Sequence, residues 1–131
     1  MAKRRQSIRI RLPLYEGNRL RWRKAIHAEL IKAKASRDID IQKEDLLELI
    51  VTLYFDHIAV RWHDVDNRLK DIMDALQGRL GGPKSLRSHE QIIPNDNQVY
   101  RVEIAKFVAP RQSLGEGLLI LKKFVPQKRS A

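Results

Sequence analysis

The chain has 131 residues, with 26 Lys and Arg against 16 Asp and Glu, a formal charge of +10 and a pI near 10.2. That length suits one domain, and 43% hydrophobic residues are enough for a core, which excludes wholesale disorder. With no Cys, disulfide scaffolds, thiol catalysis and Cys-type zinc sites are excluded and a reducing, cytoplasmic setting is expected.

Met1 to Leu12 interleaves Arg9 and Arg11 with apolar residues, so no export signal is expected there. The longest uncharged run of the apolar centre, Leu49 to Phe55, is far too short to span a bilayer. The charge is unevenly spread. Residues 1–36 carry +9, residues 37–96 carry −4 and residues 97–131 carry +5. Carboxylates between two basic ends oppose a phosphate-coating role unless something compensates them, and a bound divalent cation is such compensation. An exposed, solubilising acidic helix face is the alternative.

Ser7 to Leu12 alternates apolar and polar residues, the period of a half-exposed strand with a basic outer face, and Pro13 ends it. Leu20, Trp22, Ala25, Ile26, Leu30, Ile31 and Ala33 recur at helical spacing, predicting a first helix over about Glu16 to Ala35. Ser36 to Glu44 reads as a connection. Leu46 to Phe55, with one charge, predicts a central strand buried on both faces or at a subunit contact. Val65, Leu69, Ile72, Met73 and Leu76 form one stripe of a second helix that starts near Asp64 and stops at Gly78. Residues 78–94 read as a flexible basic loop carrying Arg79, Lys84 and Arg87. A third strand over Gln98 to Val108, a turn at Gly115 and Gly117, a fourth strand over Leu118 to Val125 and a basic tail, 126–131, complete the order. The expected fold is thus one α/β (α+β) domain, 1–131, a single mixed four-stranded sheet with two helices packed on it in the order β-α-β-α-β-β.

Asp64 and Asp66 fall at the mouth of the second helix, followed by Asn67 and Lys70, and Lys70 shares a side with Asp66 at i+4. Asp96 lies in the turn before the third strand. If that turn folds back over the helix mouth, three carboxylates and one Lys share a small volume that repels itself unless a hard cation joins it, and Mg²⁺ is the natural partner. The same residues also read more simply, Asp64 as N-cap, Asp66 as a first-turn residue favoured by the helix dipole, and Asp96 as a turn residue between two Asn.

The run His63-Asp64-Val65-Asp66-Asn67-Arg68-Leu69-Lys70, with Asp74-Ala75-Leu76 at the helix end and Asn95-Asp96-Asn97-Gln98-Val99 entering a strand, resembles the signature of the RusA-type Holliday-junction resolvases. The resemblance covers about residues 63–106 and is looser elsewhere. It implies a metal-dependent endodeoxyribonuclease, active as a homodimer, that nicks four-way DNA junctions symmetrically in recombination and repair. It further implies that Asp64, Asp66 and Asp96 hold Mg²⁺ or Mn²⁺, that Lys70 meets the scissile phosphate, and that Asn67 supports the ligands. Arg9, Arg11, Arg79, Lys84 and Arg87 are the expected DNA contacts. The sequence departs from the family pattern at Asn95, where the first of two adjacent acids usually stands, in the long insertion between Leu76 and Ile92, and in a shortened Pro-rich loop after the first strand.

Other signals are weaker. Gly78 to Ser85 nearly spells a phosphate-binding loop, but Pro83 removes a backbone donor and the segment follows a helix, so no nucleotide cofactor is expected. The four His lack paired ligand spacing. Trp22 reads as core; Trp62 reads either as core or as a stacking surface for a base. Lys122, Lys123, Lys128 and Arg129 either add phosphate contacts or form a frayed end. The rival readings are a basic nucleic-acid-binding protein without catalysis, and a junction binder of the same family that has lost activity.

Overall fold

A computed structural model describes residues 6–81, 89–110 and 116–126. The element order is β1 (Ile8–Leu12), α1 (Arg19–Ser36), β2 (Leu47–Phe55), α2 (Val65–Leu76), β3 (Val99–Val108) and β4 (Gly117–Lys123), with single 3-10 turns at Ala59–Arg61 and Asp96–Gln98. This is the expected β-α-β-α-β-β arrangement around one mixed four-stranded sheet.

The strands lie in the order β1-β4-β2-β3, so β1 and β3 are the edges. β4 runs antiparallel to both β1 and β2, while β2 and β3, joined through α2, run parallel. Because side chains alternate across a strand, the register stacks one apolar row across all four: Ile10 opposes Leu119, Leu119 opposes Val51, and Val51 opposes Ile104. The two helices cover that face and pack on each other. Trp22, Ile26 and Leu30, four residues apart, form the buried stripe of α1. Each fully buried Leu or Ile in this layer contributes roughly 1.5–3 kcal/mol. The opposite face carries half-buried Ile50, Thr52, Tyr54, Leu118 and Ile120, so among the described residues helices cover β2 on one side only.

Helix α1 starts at Arg19 instead of Glu16, because the Asn18 side chain takes the cap and accepts the Arg21 N–H at 3.0 Å. Leu20, expected on its apolar side, is exposed. The face of α2 is rotated from the simple stripe: Arg68 and Asp71 are buried beside Ile72, Ala75 and Leu76, while Leu69 and Met73 are only half-buried. Part of the segment expected to be a flexible loop is packed. Leu80, Ile92 and Ile93 are core residues, and the His89 N–H donates to the Gly78 carbonyl at 3.0 Å. Lys84 and Arg87 lie outside the described residues, as does most of the tail.

Candidate functional site

The mouth of α2 is built from both ends of the sequence. A Phe55–His63 stack, with ring centroids 4.2 Å apart, ties the approach to the end of β2, and Tyr15 meets the same imidazole edge-on at 5.0 Å. The Lys106 ammonium, reaching from β3, donates to the Val60 carbonyl at 2.7 Å and the His63 carbonyl at 2.8 Å. Asp56 accepts the N–H groups of Ala59 and Ile58 at 2.7 and 2.9 Å, and these donors hold its carboxyl below the usual range. Burial, reinforced by the Arg68 and Lys106 charges, lowers the His63 pKa and keeps the ring neutral.

Behind the mouth sits an ion cluster that no single element's sequence reveals. Asp71 has 0% exposure and is met by Arg23 at 2.9 Å and Arg19 at 3.1 Å from α1, and by Arg68 at 3.2 Å from its own helix. Arg23 also reaches Asp74 at 3.3 Å. The Arg68 guanidinium lies 4.0 Å above the Tyr15 ring, while its Nε and Nη1 have no hydrogen-bond partner among the described residues. A buried carboxylate is tolerated only when charge and donors converge on it, so this cluster fixes α2 against α1.

Asp64 occupies the N-cap in an extended conformation, yet its side chain makes no capping hydrogen bond. Its only partner among the described residues is the Asn67 amide, at a long 3.5 Å. Asp66 is exposed in the first turn, and Lys70 is exposed one turn on without an ion pair to Asp66 among the described residues. Two carboxylates without an ion pair among the described residues, and an amine one turn on, therefore stand near this end of the helix. That donor set fits Mg²⁺, which is typically bound through one or two carboxylates together with substrate phosphate and water.

Asp96 is elsewhere. It opens the 3-10 turn before β3, where Asn95 caps the turn and the buried Gln98 amide donates to the carbonyls of Gln42 and Asp45, ahead of β2. The turn thus stands at the entry of the parallel pair, whereas Lys106 ties the α2 mouth to its exit. With a strand rise of about 3.3 Å per residue, Asp96 and Asp64 are separated by roughly 20 Å or more. The expected fold-back over the helix mouth is not made within one chain, and among the described residues no group of three His, Cys, Asp or Glu side chains is placed to hold a metal ion. The physical reason is the parallel pairing, which sends the two connections to opposite ends of the sheet.

Neither family models, nor curated proteins, nor solved structures give a match to this chain.

The remaining candidates are dispersed. Arg9 and Arg11 are exposed on β1 and, with Lys32 of α1 and Arg37 at its C-cap, line an open groove of about 510 Å³. Arg79 is exposed beyond the far end of α2, at the Asp96 end. Trp22 is core, its indole N–H donating to the Pro13 carbonyl at 2.7 Å. Trp62, two residues before Asp64, is 79% exposed. No helix among the described residues is long and apolar enough to cross a membrane.

Proposed function

We propose that this chain is a divalent-metal-dependent endodeoxyribonuclease of the RusA type, acting as a homodimer on branched DNA. The observation that carries the reading is the pair Asp64 and Asp66, with Lys70, standing open at a braced helix mouth on a strongly basic protein. An N-cap carboxylate that makes no capping hydrogen bond is wasted as a cap and available as a ligand. Asp64 and Asp66 would hold the cation, which supplies charge neutralisation at a phosphate oxygen and a more acidic bound water. Lys70 stabilises the charge that builds on the phosphate, and Asn67 steadies Asp64.

The distance to Asp96 gives the dimer a chemical role. β3 is a ten-residue edge strand, and Tyr100, Val102, Phe107 and Val108 leave large apolar side chains exposed on it. Antiparallel pairing of β3 with β3 of a second copy, about a two-fold axis, brings the entry end of one strand beside the exit end of the other. Asp96 of the second copy then approaches Asp64 and Asp66 of the first, and each dimer holds two three-carboxylate sites.

The test is cleavage of a synthetic four-way junction against linear duplex of the same sequence, with and without Mg²⁺. The reading expects metal-dependent cutting of the junction alone, abolished by Asp66→Asn with junction binding kept. Cutting by Asp66→Asn equal to wild type, or no cutting with any divalent ion, overturns it.

A further inference from the structure

The geometry points to Trp62 as a stacking platform for an unpaired nucleobase beside the cleaved phosphate, a residue that selects branched over continuous duplex DNA. The inference rests on the branched-DNA reading above. It starts from a contrast between the two tryptophans, since Trp22 is 3% exposed and hydrogen-bonded while Trp62 is 79% exposed, with no ring partner among the described residues.

An exposed indole on a loose end would carry little meaning. Trp62 instead ends the Ala59–Arg61 turn, and its backbone N–H donates to the Ala59 carbonyl at 3.0 Å. The turn is held from below by Asp56, which accepts two N–H groups, and from the side by Lys106, which binds the carbonyls that bracket Trp62 in sequence, Val60 and His63. His63, next in the chain, is stacked on Phe55. The backbone on both sides of the indole is therefore braced while the ring is left in water, so the ordering cost of presenting it is already met by the fold.

Chain length places the Cα of Trp62 within about 7 Å of that of Asp64, so the indole is rooted beside the carboxylate pair. Arg61 and Ile58, both exposed, flank it on the same turn, Ile58 at 60%. A cation and an apolar side chain around a flat aromatic face match a nucleotide, with its phosphate, its ring edge and its π-surface. Continuous duplex offers no free base face, whereas a branch point offers unstacked ones. Discrimination then follows from exposure of the base, without any reading of sequence.

The test uses full-length protein in EDTA, so that binding is read without cutting, on a four-way junction with 2-aminopurine at the branch and on linear duplex. We expect Trp62→Ala to weaken junction binding about tenfold, the cost of losing one base–aromatic stack, and to remove the change in 2-aminopurine emission. Duplex binding should stay within about twofold. Trp62→Phe, which keeps a ring, should hold junction binding within about threefold of wild type. Loss of junction and duplex binding in equal measure, junction binding indifferent to Trp62→Ala, or dissociation of the dimer by Trp62→Ala in sedimentation each overturns the assignment. The two readings fail separately. Tight junction binding with no cutting in Mg²⁺ sinks the nuclease and leaves the stacking result standing, whereas failure of the wild-type protein to bind the junction overturns both.

Discussion

Mixing two inactive variants distinguishes a site shared between subunits from a site within one chain. Carboxylates that share one Mg²⁺ at metal–oxygen distances of about 2.1 Å have their oxygens within about 4 Å of one another. The roughly 20 Å along β3 between the Asp96 turn and the α2 mouth forbids this inside a single chain. In a heterodimer of Asp66→Asn with Asp96→Asn, the Asp96→Asn chain keeps Asp64 and Asp66, and its partner keeps Asp96. One site is complete and the other has lost both contributions. Purified with a different tag on each chain, the heterodimer should cut with about half the wild-type number of active sites, while either homodimer is inactive. With one live site it nicks one strand, so nicked junctions accumulate in place of resolved duplexes, which a denaturing and a native gel separate. A heterodimer as inactive as its parents would refute the shared site.

Further outcomes concern the scaffold. Asp71→Asn removes the only carboxylate among the described residues that faces buried Arg68 and should cost ~3–5 kcal/mol. Chemical unfolding would read this as a urea midpoint lowered by at least about 1 M, for an m-value of about 1–3 kcal/mol per M. Burial keeps His63 neutral in the folded protein below its ordinary value of 6.5, so the unfolded chain binds the extra proton there. Its contribution to stability is fully present above pH 6.5 and declines as pH falls below that value until the folded ring itself titrates; His63→Phe should flatten this decline in unfolding curves between pH 8 and 5. Gly78 has φ +71°, and an added Cβ would meet the His89 carbonyl, so Gly78→Ala should cost about 1–3 kcal/mol and lower Tm by several degrees.

Sequence periodicity located the elements well because their apolar faces are continuous. Ile8, Ile10 and Leu12 alternate as a one-sided strand must, and Leu47 to Phe55 is long and apolar because it lies between two neighbours. The rotated face of α2 was less legible. Arg68 and Asp71 look like solvent residues within their own helix, and their burial depends on Arg19 and Arg23 from α1. Asp96 is a different case. A strand-helix-strand unit implies parallel strands, so the element order already contained the separation of its two connections, but the expectation of a shared pocket overlooked it. Asn95, a departure from the family pattern by sequence, has a structural occupation, since its side chain accepts the Asn97 N–H while Gln98 returns a bond to its backbone.

The far rim of the sheet bears on how large the proposed assembly would grow. β1 turns Arg9 and Arg11 outward, and a sheet joined through β3 ends in such a pair of arginines on both sides. In the proposed dimer, a third molecule brought up to that rim would meet the exposed Arg9 of another copy, while Arg11 already faces Glu116 at 3.7 Å, so like charge would oppose growth beyond two protomers. Concentrated solutions should accordingly stay clear at low salt, and turbidity that rises with added salt would show that charge alone had been holding the pairs apart.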